Sequence, residues 1–142
     1  MGKNTILVIS NNKTTRAILK ETLKEEQYRL LFAEDGKTGL SHNMRAGIDM
    51  IFVDFKLNGM NGFQTGAQIK DIRPNVTVFL MTRYAKDLQN DEVVLSIIDG
   101  LIQQPLNPVE ILSTVKWHFK VFNRKNYLQY NNELIAYQDS NL

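Results

Sequence analysis

Four short apolar runs without regular polar alternation constrain the fold of this chain more than any other feature. They are rich in β-branched and aromatic residues and lie at residues 5–9, 29–33, 50–53 and 76–81, with a weaker fifth run at 100–103. Continuous apolar strands are typical of a parallel sheet that is covered on both faces. The runs therefore predict the buried strands of one parallel sheet.

Segments with helical periodicity separate the runs. In the first segment Thr15, Leu19 and Leu23 share a face, and Asn12 is placed to cap it. Further helices are predicted at residues 36–45, 63–72 and 91–98, and from residue 107 onward. Strand and helix alternate through five units, which predicts an α/β fold with a doubly wound parallel sheet.

Composition and charge exclude several classes of protein. The 142 residues, 43% of them hydrophobic, suit one globular domain, and a net charge of +2 spread over interspersed residues predicts no nucleic-acid partner. The absence of cysteine fits a reducing compartment, so we expect a cytoplasmic protein. No apolar run approaches the length of a membrane span, and we expect no membrane partner.

Polar residues stand where the predicted strands end. Asp54 follows the run at residues 50–53 and precedes a turn-forming segment at 55–63. In doubly wound sheets, ligands bind outside the carboxyl ends of the strands. Because a buried ionised carboxylate is costly without compensation, Asp54 is predicted at the mouth of a site, or as a cap of the following turn. The candidates at the other strand ends are Ser10, Asn11, Thr82 and Gln104.

The segment at residues 53–63, Val-Asp-Phe-Lys-Leu-Asn-Gly-Met-Asn-Gly-Phe, resembles the aspartate and turn signature of response regulator receiver domains. Supporting pieces lie in the same order as in that family, at residues 6–9, 33–36, 80–82 and 104–106, and the resemblance covers about residues 4 to 120. It implies a flavodoxin-like, five-stranded parallel sheet with strand order 2-1-3-4-5. It also implies a role in two-component signal transduction.

The resemblance assigns roles to two residues that match the family. Asp54 stands at the phosphoacceptor position, which receives a phosphoryl group from a partner's phosphohistidine, and Thr82 supplies the hydroxyl that contacts this group. The partner it implies is a sensor histidine kinase, a phosphotransfer protein or another signalling protein. The chain itself is not expected to be an enzyme.

Other positions depart from the family pattern. Ser10 and Asn11 replace the two acidic residues that help to hold Mg²⁺, Gln104 replaces a lysine, and Leu101 replaces an aromatic switch residue. Mg²⁺ prefers carboxylate ligands, so the sequence predicts at most a weak Mg²⁺ site and no other metal site. These departures describe a degenerate receiver, or pseudo-receiver.

The loss of charged neighbours leaves the Asp54 carboxylate without its usual cations. Lys56 and Arg83 lie near it in sequence, and we hypothesise that one of them balances its charge directly. An aspartyl phosphohydrolase is a rival interpretation, but those enzymes resemble one another in carrying a second aspartate where this chain has Lys56. A flavin-binding module is another rival, although the loop at residues 10–13 lacks the expected glycine-rich phosphate cradle.

The sequence predicts a receiver-like domain at residues 1–122 and a C-terminal extension at 123–142, as an extended helix or a polar tail. Tyrosines and a leucine in the extension recur at helical spacing, at Tyr127, Tyr130, Leu134 and Tyr137. Such a stripe favours packing on the domain, a link to an output domain, or a homodimer through the C-terminal helix. Too few residues follow residue 122 to form a helix-turn-helix domain. We therefore expect a stand-alone receiver that signals by protein contacts. A phosphorylation-independent interaction scaffold is the alternative.

Overall fold

The computed structural model describes residues 3–24, 28–45 and 47–122, together with residues 132, 135 and 136. Within this part of the chain, five strands form one parallel sheet in the order β2-β1-β3-β4-β5, which confirms the predicted topology. The strands are β1 (Asn4–Ile9), β2 (Tyr28–Ala33), β3 (Met50–Asp54), β4 (Thr77–Thr82) and β5 (Gly100–Gln103). Each apolar run of the sequence is therefore a strand.

The connections between the strands are helical, as predicted. The helices are α1 (Lys13–Thr22), α2 (Gly36–Arg45), α3 (Gly62–Ile72), α4 (Ala85–Leu88), α5 (Glu92–Ile97) and α6 (Pro108–Phe122). The sequence did not reveal α4, because a single turn is too short for a helical hydrophobic period. No helix in the described part of the chain is long and apolar enough to span a membrane.

The chain divides into two compact units, Met1–Pro108 and Val109–Leu142. The first contains the whole sheet. The second contains most of α6, on which Ile111 and Val115 are buried. The predicted extension at 123–142, including Tyr127, Tyr130, Leu134 and Tyr137, lies outside the described residues except at 132, 135 and 136.

Both faces of the three central strands, β1, β3 and β4, are buried, which explains their lack of polar alternation, whereas the edge strands β2 and β5 are only partly buried. One face joins a single apolar cluster with residues of α3 and α5, and it includes Leu7, Ile9, Ile51, Val53, Val78 and Leu80. The alternate residues of the same strands point to the opposite face. There Phe52 and Phe79 stack with ring centroids 5.5 Å apart. A strand buried on both sides tolerates polar residues only at its ends, where the candidate site lies.

Side-chain caps fix where the helices next to the strand ends begin. Asn12 caps α1, as predicted, because its Oδ1 accepts a hydrogen bond of 2.9 Å from the Thr15 backbone amide. Asn61 caps α3 through Oδ1, which accepts from the Gln64 amide at 2.8 Å, while Gln64 Oε1 accepts from the Asn61 amide at 3.0 Å. This reciprocal arrangement is a capping box. It holds the start of α3 close to the end of β3.

Asn43 on α2 is a polar residue in a fully buried position. Neither its amide nitrogen nor its amide oxygen has a hydrogen-bond partner among the described residues. A buried amide without partners loses its hydration and gains nothing in exchange. The buried Asn43 side chain is therefore expected to destabilise the fold.

Replacing this amide with a leucine of similar branched shape removes the desolvation penalty. We expect Asn43→Leu to raise the free energy of unfolding by about 1 kcal/mol. Asn12 is an asparagine whose side chain does have a hydrogen-bond partner. Asn12→Ala removes the cap of α1 and is expected to lower the free energy of unfolding by about 1 kcal/mol. Urea unfolding measures both values. Destabilisation by both variants would show that the Asn43 amide is not a weakness.

Candidate functional site

Asp54 is the last residue of β3 and is only 5% exposed. Its strand lies between β1 and β4, so the carboxyl ends of these three strands meet around it. The register pairs Asp54 with Met81, next to Thr82, and pairs Val53 with Ile9, next to Ser10. Topology therefore gathers residues that are far apart in sequence.

Both oxygens of the Asp54 carboxylate accept hydrogen bonds from neutral side chains. Ser10 Oγ donates to Oδ2, and Gln104 Nε2 donates to Oδ1 at 2.8 Å. These partners lie 44 and 50 residues away from Asp54 in the chain. Hydrogen bonds to a carboxylate are stronger than those between neutral groups, so the contacts compensate part of the cost of its burial.

The loop after β1 holds Ser10 in place. The Asn12 amide donates to Ser10 Oγ at 3.1 Å, and Arg16 Nη1 donates to the Ser10 carbonyl at 2.6 Å. Arg16 Nη2 also lies 3.8 Å from Glu34 in the loop after β2. The Ser10 hydroxyl thus accepts from one amide while it donates to Asp54, an arrangement that strengthens both bonds.

The loop after β5 holds Gln104 in the same way. The backbone amide of Gln104 donates to the Thr82 carbonyl at 2.8 Å. The neighbouring Gln103 donates through Nε2 to the carbonyls of Gln104 at 2.6 Å and Arg83 at 2.9 Å, and its Oε1 accepts from the Ala85 amide at 3.2 Å. Gln103 therefore ties the loop after β5 to the loop after β4.

Thr82 is buried at the same end of the sheet, but its hydroxyl has a different partner. Thr82 Oγ1 accepts a hydrogen bond of 3.0 Å from the Tyr84 amide. No hydrogen bond joins Thr82 and Asp54, although both residues are described. Leu101, the predicted switch position, lies half-buried in β5 beside Leu80 and packs on the apolar cluster.

The structure does not bring the predicted cations to Asp54. Lys56 and Arg83 are both exposed, and neither forms an ion pair with it. Asn11 is exposed as well, and none of the described hydrogen bonds of Asp54 involves it. The hypothesis that Lys56 or Arg83 balances the charge of Asp54 directly expected a cation beside the carboxylate. The neutral side chains of Ser10 and Gln104 contact the carboxylate instead.

Comparison with known proteins supports the same family as the motif. A model of the response regulator receiver domain matches residues 6–116, which is most of the chain. The chain belongs to this family. A receiver domain protein of Methanospirillum hungatei, described as CheY-like, has a TM-score of 0.79 and 23% identity, and the match covers 87% of this chain and 99% of that one.

Curated relatives of this receiver are longer proteins. A two-component response regulator of Arabidopsis thaliana is 29% identical over 87% of this chain, which is 20% of the relative. The transcriptional regulatory protein YvrH of Bacillus subtilis is 25% identical over 84% of this chain and 51% of the relative. The chain thus spans about half or less of the length of these relatives.

Burial dominates the electrostatics of the receiver's aspartate. Removal from water raises the pKa of the Asp54 carboxyl above its ordinary value of 3.8, and the hydrogen bonds from Ser10 and Gln104 lower it only in part. A nearby cation would have favoured the ionised form more strongly. The raised pKa is the expected result of burial beside neutral donors.

The residues of this site do not fit the Mg²⁺ ion that is implied for the family. Mg²⁺ is usually held by one or two carboxylates together with water and phosphate oxygens. Here Asp54 is the carboxylate of the site, Ser10 and Asn11 are neutral, and both carboxylate oxygens already accept hydrogen bonds. Among the described residues, no group of three or more acidic, histidine or cysteine side chains is arranged to hold a metal.

Sequence reasoning found Asp54, Ser10 and Gln104, but it missed Arg16 and Gln103. The first three stand at strand ends, where a doubly wound sheet concentrates function. Arg16 lies within a helix and Gln103 within a strand, and their roles depend on reaching the backbone of a neighbouring loop. The sequence indicated these two roles only weakly, through a long polar side chain in the helix after β1 and another at the end of β5.

The raised pKa predicts how stability depends on pH. Between 3.8 and the raised value, the native state binds more protons at Asp54 than the unfolded state, so its stability falls as the pH rises through this window. Asp54→Asn lacks this titration. We therefore expect the stability of the wild type relative to Asp54→Asn to decrease between about pH 3 and about pH 7, as measured by urea unfolding. An increase would mean that folding lowers the pKa of Asp54, and that burial does not dominate the electrostatics of this carboxylate.

Proposed function

We propose that this receiver domain works in two-component signalling through protein–protein contacts, with Asp54 at the phosphoacceptor position of a degenerate site. Its partner is a histidine kinase, a phosphotransfer protein or another protein of such a pathway. The observation that carries the proposal is the engagement of both Asp54 oxygens by Ser10 and Gln104. These bonds hold the carboxylate in one arrangement without a metal or a lysine.

The charge balance of the site argues against efficient phosphoryl transfer. Transfer depends on positioning and on neutralising charge at the transferred group. In the receiver pattern, three carboxylates, one lysine and Mg²⁺ sum to zero formal charge. A phosphoryl group arriving at Asp54 here meets a neutral amide from Gln104 and a neutral hydroxyl from Ser10, and it must displace at least one of their hydrogen bonds.

A continuous set of hydrogen bonds links this carboxylate to exposed surface. Gln104 contacts Asp54 through its side chain, and its carbonyl accepts a hydrogen bond from Gln103. Gln103 also bonds to Arg83 in the loop after β4 and to Ala85 at the start of α4. Tyr84 lies between Arg83 and Ala85 and is 64% exposed. The conformation presented to a partner near Tyr84 thus depends on the arrangement at Asp54.

The proposal predicts slow labelling by a small phosphodonor. We expect the wild type, incubated with acetyl phosphate and Mg²⁺, to gain a phosphoryl adduct at least about a hundredfold more slowly than a variant carrying Ser10→Asp, Asn11→Asp and Gln104→Lys. That variant restores the acidic pair and the lysine, so the missing groups are tested by replacing them. Intact-mass spectrometry over time measures the adduct.

Asp54→Asn in both backgrounds is the control, since it replaces the nucleophilic carboxylate with a neutral amide of nearly the same shape. Loss of the adduct in this control assigns it to Asp54. Rapid wild-type labelling that Asp54→Asn abolishes would overturn the proposed degeneracy and favour an ordinary phosphorelay receiver. No labelling of the wild type, with labelling of a folded restored variant, would favour the phosphorylation-independent scaffold.

A further inference from the structure

The loop between β3 and α3 contains two asparagine-glycine steps in contrasting surroundings, Asn58-Gly59 and Asn61-Gly62. We propose that Asn58 is a site of spontaneous deamidation and that the fold protects Asn61 from the same reaction. Asparagine followed by glycine is chemically vulnerable, because glycine lacks the Cβ that would hinder approach of its amide to the preceding side chain. The two steps therefore share their local chemistry and differ in structure.

The reaction needs only water. The deprotonated amide nitrogen of Gly59 attacks Cγ of Asn58, a new C–N bond closes a five-membered succinimide, and the side-chain amide nitrogen leaves as ammonia after taking up a proton. Water then opens the ring at either carbonyl and yields aspartate or isoaspartate. No oxidant, reductant or enzyme enters the balance.

The surroundings of Asn58 leave this reaction open. Asn58 and Gly59 are both exposed, and a Cβ built on Gly59 meets no atom within 4 Å. Within the described part of the chain, neither the Asn58 side chain nor the Gly59 amide has a hydrogen-bond partner. Gly59 adopts a φ of 79°, which other residues rarely adopt, so the turn itself favours keeping glycine after Asn58.

The surroundings of Asn61 oppose the reaction. Its side-chain oxygen is held by the Gln64 amide in the capping box. The Gly62 amide, which would be the nucleophile, donates to the Phe55 carbonyl at 2.8 Å. A Cβ built on Gly62 would lie 2.1 Å from the Asp54 carbonyl oxygen, so the backbone there has little room to move. Reaction at Asn61 first requires the start of α3 to open.

Deamidation changes the charge of the loop that follows Asp54. The formal net charge of the chain falls from +2 to +1, because 15 acidic residues become 16. The new carboxylate stands two residues from Lys56, which is exposed, so it offsets the positive charge that this part of the loop presents. A partner that contacts the loop would therefore meet two forms of the protein, which differ by one charge, and the deamidated form would accumulate as the protein ages.

Ageing of the folded protein at neutral pH tests the proposal, with samples analysed by ion exchange and by peptide mapping that separates aspartate from isoaspartate. Asn58 is expected to react at least about tenfold faster than Asn61 in the native protein, since each additional 1.4 kcal/mol of opening slows a reaction about tenfold. In urea the two steps are expected to react at similar rates. Asn58→Gln is expected to remove the acidic species that accumulates first.

The unfolded sample separates protection by the fold from intrinsic differences between the two steps. Equal native rates at Asn58 and Asn61 would overturn the proposal, as would a native chain that stays intact at Asn58 while the urea-unfolded chain reacts there. Persistence of the first acidic species in Asn58→Gln would also overturn it, since that charge change would then arise elsewhere.

Discussion

The hydrogen bonds from Ser10 and Gln104 to Asp54 join the loops after β1 and β5 to the end of β3 at one buried carboxylate. Asp54 ends β3, Ser10 follows β1, and Gln104 follows β5, so a single side chain links the carboxyl ends of three strands. A buried carboxylate without partners would be strongly destabilising, whereas a fully bonded one can be retained. The arrangement of the neighbouring loops depends on keeping both donors in place.

Both donors to the Asp54 carboxylate are neutral side chains. In a receiver with acidic partners, a lysine and Mg²⁺, charges of both signs meet at the aspartate, and the site changes when a phosphoryl group arrives. Here Ser10 and Gln104 supply the contacts without charge, and burial leaves the pKa of Asp54 raised. We therefore propose that this site favours a stable arrangement of the carboxylate over phosphoryl transfer. The connection through Gln103 to the loop around Tyr84 gives that arrangement a route to the surface.

The fold was largely predictable from the sequence because the central strands are buried on both faces, and burial leaves continuous apolar runs. The strand ends, and with them Asp54 and Gln104, followed from the same runs. The charge-compensation hypothesis did not anticipate the exposed positions of Lys56 and Arg83, since closeness in sequence does not determine where a long side chain points. The role of Gln103 also depends on tertiary contacts, which local pattern does not encode.

In this receiver, neutral donors hold Asp54 where the family pattern has a metal and a lysine. A crystal structure determined with Mg²⁺ and beryllofluoride, which mimics a phosphoryl group on aspartate, would show whether this arrangement persists. Ser10 and Gln104 are expected to remain hydrogen-bonded to Asp54, with no metal or fluoride beside the carboxylate. Beryllofluoride bonded to Asp54 beside Mg²⁺, with the Gln104 side chain displaced, would contradict this expectation.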